Sequence, residues 1–364
     1  MKSISYFMNG RDNNFNLLRV LAAIFISYYH CYFMVLGPLM SNERYAGLYM
    51  TSQIVLNFFF IASGFLIALS FERRHDLVTY FTARGLRLLP GILVLALILA
   101  FVMGPLVTEV SLADYFSALS TWVYVPLTVS LDPDARLLGV FVSNVNPNEI
   151  DEALWTLRYE FVCYIGLAVF GLAGLLKAGR HFIALSFFVV AGYLVITYLT
   201  PLREITVIEH LMHFGMSFFI GTFFYIYRDH VPLSLPLMLG LAFSAFAAYW
   251  FIGPYMSEPL ILVASAYAVF WLAFVPRGAV RGYNQLGDYS YGIYIYHFPI
   301  EQVLMKFNSE YTVAGLFITA LPIALVAAVL SWHLIERPAL SLLPVLSRRI
   351  SGWLRLSPAD TVIR

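Results

Sequence analysis

Long apolar runs, separated by short polar and often basic breaks, dominate this chain. They fall at about 14–37, 48–71, 88–106, 153–176, 182–200, 208–227, 235–252, 258–275, 289–307 and 313–335. A helix needs about 20 mostly apolar residues to cross the hydrocarbon core of a bilayer. The pattern therefore predicts an all-α polytopic membrane protein with about ten transmembrane helices. No internal repeat, low-complexity tract or second domain is visible. Residues 1–340 read as one transmembrane unit and 341–364 as a cytoplasmic tail.

Composition agrees with the pattern. The chain is 60% hydrophobic and 12% charged, whereas a soluble domain carries about 25% charged residues. A net charge of +1 argues against nucleic acid or a bulk acidic partner. Cys31 and Cys163 lie in apolar runs and read as small apolar side chains, with no disulfide required. The first run lacks a small-residue cleavage site, so it reads as a retained helix. Basic residues set the orientation. With the N-terminus inside, sixteen Lys and Arg fall in cytoplasmic segments and four, Arg44, Arg136, Arg203 and Lys306, fall outside. That positive-inside bias predicts cytoplasmic termini.

Polar residues inside the spans carry the functional signal, because an ionisable group in a membrane helix is costly. Arg19 and His30 are eleven positions apart. Eleven residues turn a helix to within about 20° of three full turns, so both face the same way, about 16 Å apart along the axis. Asn57 and Glu160 fall at a depth similar to His30. His30 is the natural partner for Glu160, a structural ion pair being the alternative. Asn57 reads as a helix–helix hydrogen bond or an active-site donor, and Ser63-Gly64 as close packing. His297 lies near mid-membrane, with Tyr294 three residues earlier. Glu336 and Arg337 read as surface anchors.

The connecting segments add candidates. Asp76 to Arg87 reads as a short amphipathic surface helix, with Pro90 opening the next span. Arg73, Arg74, Arg84 and Arg87 are either contacts to anionic lipid or a phosphate site, since guanidinium forks bind phosphate bidentately. Val107 to Glu152 is the one long outer loop. Its aromatic, acidic and amide residues, Asn144 and Asn146 among them, suit a sugar ring as well as an interfacial belt. Trp155 is placed at the cavity mouth. Glu209, His210 and His213 cluster, but no third ligand has suggestive spacing, so no metal is expected.

Taken in order, "NFNLLRVLAAIFISYYH" with Arg19 and His30, "FFFIASGFLI", "TARGLRLLP", "LWTLRYEF" with Glu160, "YSYGIYIYHFPI" and "LIERP" resemble the acyltransferase-3 family of integral membrane O-acyltransferases, and among these the bacterial exopolysaccharide O-acetyltransferases. The resemblance spans about residues 14–338. Many members have an acidic residue where this chain has Asn57. The resemblance implies acetyl-CoA as cytoplasmic acyl donor and an extracytoplasmic carbohydrate acceptor, exopolysaccharide or its lipid-linked repeat unit, at a bacterial inner membrane. Some members carry a C-terminal esterase-like domain. This sequence ends shortly after Pro338, so the transmembrane unit is expected to complete transfer alone. On that basis the CoA phosphates are assigned to Arg19, Arg74, Arg84 and Arg87. His30 is assigned as general base, Glu160 as its orienting partner and Asn57 as oxyanion donor. Trp155, Tyr294 and His297 are assigned to the acceptor. An acetyl-His30 intermediate is the rival course. A proton-coupled glycan transporter using His30 and Glu160 is the alternative function. No oligomeric state follows from the sequence, and a homodimer is compatible with it.

Overall fold

The computed structural model describes residues 2–8, 12–73, 76–132 and 134–354. Its helices of ten residues or more are α1 (Phe15–Leu36), α2 (Ala46–Arg73), α3 (Leu77–Ile98), α4 (Leu119–Val129), α5 (Trp155–Leu172), α6 (Arg180–Leu199), α7 (Thr206–Ile226), α8 (Leu235–Phe274), α9 (Ser290–Phe307), α10 (Val313–Ser331) and α11 (Leu343–Trp353). There is no strand among the described residues, only two isolated bridges. Among the described residues, eight helical segments are long and apolar enough to span a bilayer.

The expectation of about ten spans differs from eight for two physical reasons. α8 is one continuous element by hydrogen bonding, but Gly253 breaks it with φ 84° and ψ 163°, immediately before Pro254. The two runs read at 235–252 and 258–275 are its halves. α9 is the other case. Its face is polar because it runs through the middle of the bundle, with 13 of its 18 residues buried. A helix ringed by other helices can carry His297, Glu301 and Gln302, because neighbouring segments offer them His30, Ser27 and Asn144 as partners. α6 is the opposite, burying only Phe182, Tyr193 and Thr197. Phe187, Phe188, Phe243, Trp250 and Phe251 are exposed, a belt that suits lipid and not water.

α2 and α7 form the closest pair. A Cβ on Gly64 would lie 1.9 Å from the Phe218 carbonyl oxygen, and one on Gly221 would lie 2.0 Å from that of Ile61. Reciprocal small residues let the two backbones touch, the close packing expected at Ser63-Gly64. Asn14 fixes the start of α1 by donating from Nδ2 to the carbonyls of Leu272 and Pro276 at the end of α8.

Two connecting segments differ from expectation. Asp76 caps α3 by accepting from the Thr79 amide at 2.6 Å, and α3 then runs on through Pro90 to Ile98. The surface helix and the third span are thus one element, closed by a π-turn at Leu99–Met103. The outer loop is also partly helical, holding Leu112–Ser117 and α4. Its amides are structural. Asn146 donates to the Phe33 carbonyl at 2.8 Å, and Asn144 donates to Gln302 Oε1 at 2.7 Å. Gln302 returns bonds to the carbonyls of Asn146 and Glu149. Their donors hold the loop on α1 and α9, so they are not free for a sugar.

Candidate active site

His30 and His297 meet between α1 and α9. His30 Nδ1 lies 2.7 Å from His297 Nε2, and the two rings meet edge to edge, with centroids 5.0 Å apart and 8° between their planes. His297 Nδ1 is 3.0 Å from the Ile293 carbonyl oxygen. A carbonyl only accepts, so that nitrogen carries the proton. In the neutral ring His297 Nε2 is then the acceptor, and His30 Nδ1 donates to it. The remaining nitrogen of His30, Nε2, keeps its lone pair. The bond chain from Ile293 through His297 thus selects the tautomer in which His30 is a base.

His30 lines a cavity of about 420 Å³ with Tyr49, Tyr124, Trp155, Arg158 and His210. The Trp155 ring packs on His210 at 4.5 Å. The acidic residues Asp132, Glu149, Asp151 and Glu152 are on the same wall. Asp151 accepts from the Ala153 amide at 3.1 Å, and burial pushes its carboxyl above the usual carboxylate range.

A second cavity of about 220 Å³ lies on the Arg19 side, bounded by α2, α3, α5 and α9. Arg19, Arg84, Arg87, Ser63, Glu160 and Tyr164 line it. Glu160 accepts from Ser63 Oγ at 2.8 Å and from the Tyr164 hydroxyl. This corrects the expected His30–Glu160 partnership. Among the described residues no hydrogen bond or ion pair joins the two, and they line different cavities. Asn57 is corrected too. It is 2% exposed, accepts from Ser217 Oγ at 3.0 Å and lines neither cavity, so it is the helix–helix bond and not an oxyanion donor.

The arginines divide. Arg87 pairs with Asp288 at 2.7 Å and with Glu336 at 3.2 Å. Arg19 reaches the same Asp288 oxygen at 3.5 Å. Burial alone would raise the Asp288 carboxyl, but Arg87 and Arg19 outweigh it and hold it below the usual range. Glu336 is 1% exposed and accepts from Ser331, so it is a buried partner and not a surface anchor. Arg84 is less engaged. It donates to Ser70 Oγ at 3.3 Å, and its buried Nε has no partner. Arg74 lies outside the described residues. His210 and His213 part company, the latter bonding Glu258 at 2.6 Å.

Sequence reasoning passed over Asp288, Tyr164 and Glu301, and read Ser63 as packing alone, whereas it donates to Glu160. Glu301 is wholly buried, one turn beyond His297, and accepts from Ser27 of α1 at 2.7 Å. An acidic residue in a run already marked by His297 was the available signal for it. Nothing local marks Asp288 as an ion-pair member, since its arginine partners are about 200 and 270 positions away.

An apolar-coated helical bundle with a histidine pair beside one polar cavity and arginines lining a second defines a multi-pass membrane protein with an internal site. The chain belongs to the acyltransferase-3 family, whose profile, described as an acyltransferase domain, matches residues 12–336. It is an acyltransferase of the membrane. It is similar to the O-acetyl transferase of Shigella phage Sf6, with 28% identity over 337 residues, 90% of this chain and 96% of the phage protein. It is also similar to Nodulation protein 10 of Rhizobium leguminosarum bv. viciae, with 27% identity over 372 residues, 94% of this chain and 97% of that protein. No solved structure matches at a comparable level.

Proposed function

We propose that this protein moves an acetyl group from cytoplasmic acetyl-CoA to a hydroxyl of an extracytoplasmic carbohydrate, exopolysaccharide or its lipid-linked repeat unit, across a bacterial inner membrane. The observation that carries the reading is the His30–His297 bond beside the larger cavity, with arginines around the smaller one. The positive-inside count supports the arginine-lined cavity facing the cytoplasm and the His30 cavity facing outside.

The donor's phosphates would meet Arg84, whose Nε is unpaired. Arg19 and Arg87 would act mainly by holding the wall with Asp288 and Glu336. In the transfer step His30 Nε2 takes the proton of the sugar hydroxyl as its oxygen bonds to the thioester carbonyl carbon. The tetrahedral adduct collapses, the C–S bond breaks, and the departing thiolate receives the proton from His30. While His30 is charged, His297 accepts a stronger, charge-assisted bond from its Nδ1. His297 thus takes the orienting role expected of Glu160, and Trp155 and Tyr294 remain as acceptor-side walls.

The test is acetyl-CoA turnover by purified protein with polysaccharide from a deletion strain as acceptor. His30→Ala should cut turnover by about 10²–10⁴-fold, the usual contribution of a general base. Normal turnover in that variant removes the proposal. Glycan movement across vesicles without acceptor-dependent CoA release would favour the transporter.

A further inference from the structure

The two cavities approach each other at one place. Leu56 of α2 and Tyr294 of α9 line both of them. The Tyr294 hydroxyl is bonded to Thr156 Oγ1 of α5 at 2.6 Å. Its ring packs against Phe59 at 5.8 Å and lies 6.2 Å from the ring of His297. Leu56 and Tyr294 are 8% and 7% exposed. Three helices therefore hold a thin wall between His30 and the cavity of Arg19, Arg84 and Arg87.

We propose that this Leu56–Tyr294 wall is the acyl-length filter of the enzyme, admitting acetyl and rejecting longer or charged acyl groups. The inference rests on the reading that a CoA thioester enters on the arginine side and reacts at His30. A thioester held by Arg84 must then carry its acyl end past Leu56 and Tyr294, because Arg84 lines one cavity and His30 lines the other. The wall is apolar apart from hydroxyls already bonded to each other, and no cation lies in it. It therefore sorts by size, and a succinyl carboxylate would lose its water there without a replacement partner. Packed side chains at such a wall yield little, so each added methylene is felt.

The experiment uses the full-length protein in lipid nanodiscs with acetyl-, propionyl-, butyryl- and succinyl-CoA, and polysaccharide from the deletion strain as acceptor. The readout is acceptor-dependent thiol release, expressed as the butyryl-to-acetyl ratio of kcat/KM within one preparation. A ratio is independent of how much of a variant is folded. Wild type should favour acetyl by about 10- to 200-fold per added methylene. Leu56→Ala should raise the ratio by about tenfold or more, and Leu56→Val should fall between. An unchanged ratio in both variants, with wild type active on acetyl-CoA, overturns the filter and leaves the transfer reading intact. Succinyl transfer by wild type at the acetyl rate also overturns it. Absence of acceptor-dependent thiol release from any donor overturns the transfer reading and the filter with it.

Discussion

Replacing His297 by alanine isolates the histidine pair. The substitution removes the acceptor for His30 Nδ1–H, now 2.7 Å away, and severs His30 from the Ile293 carbonyl that sets its tautomer. In the resting enzyme the lost bond is between neutral groups, about 0.5–1.5 kcal/mol. In the transition state His30 carries a proton from the acceptor, and a bond to a charged donor is worth about 1.5–3 kcal/mol. Only the difference between the two losses, about 1–1.5 kcal/mol, reaches the barrier, so turnover slows by about 5- to 12-fold at about 1.4 kcal/mol per decade. His297→Gln keeps a side-chain acceptor and should retain more activity than His297→Ala. The assay is acceptor-dependent CoA release, normalised to folded protein by size-exclusion chromatography. Wild-type turnover in His297→Ala would refute the pairing as a catalytic device. Equal losses in the alanine and glutamine variants would assign His297 to packing alone.

Other outcomes follow from the same geometry. Arg84→Gln should weaken CoA binding by calorimetry about 10- to 150-fold, the loss of one charged hydrogen bond; an unchanged Kd would return Arg84 to lipid contact. Arg87→Ala strands Glu336, which is 1% exposed, and should lower stability by about 3–5 kcal/mol, seen as a lower Tm. Asp288 titrates below its ordinary value in the fold, so its contribution is present above the unfolded pKa of about 3.9 and is lost as pH falls through the folded value. Asp288→Asn should therefore lower Tm at neutral pH and flatten the fall in Tm below about pH 4; parallel Tm curves would contradict the pairing. Gly64→Ala places a Cβ 1.9 Å from the Phe218 carbonyl oxygen and should abolish the monodisperse chromatographic peak.

Much of the site was legible because some of its signals are local. Arg19 and His30 sit on one helix, so their shared face follows from helical periodicity, and each lines a cavity. Glu160, Trp155 and Tyr294 also line cavities. Partnership was not legible. Glu160 reads as level with His30 and His297 as nearer mid-membrane, so depth favoured the acid as His30's partner. Rotation about each helix axis decided otherwise, turning Glu160 to Ser63 and Tyr164. Asn57 was read as two alternatives, and only the contact with α7 selected one.

The sequence by itself determined what a bilayer demands. Apolar length, sparse charge and the distribution of Arg and Lys specify membrane helices, because unsatisfied backbone groups and bare charges are expensive in hydrocarbon. Motif order was enough to point to the family. Tertiary structure alone decided which buried polar groups touch, that α9 runs through the centre, and that Leu56 and Tyr294 stand between two cavities. The reason is that hydropathy is summed along a chain, whereas a buried hydrogen bond depends on the few degrees and ångströms by which one helix faces another.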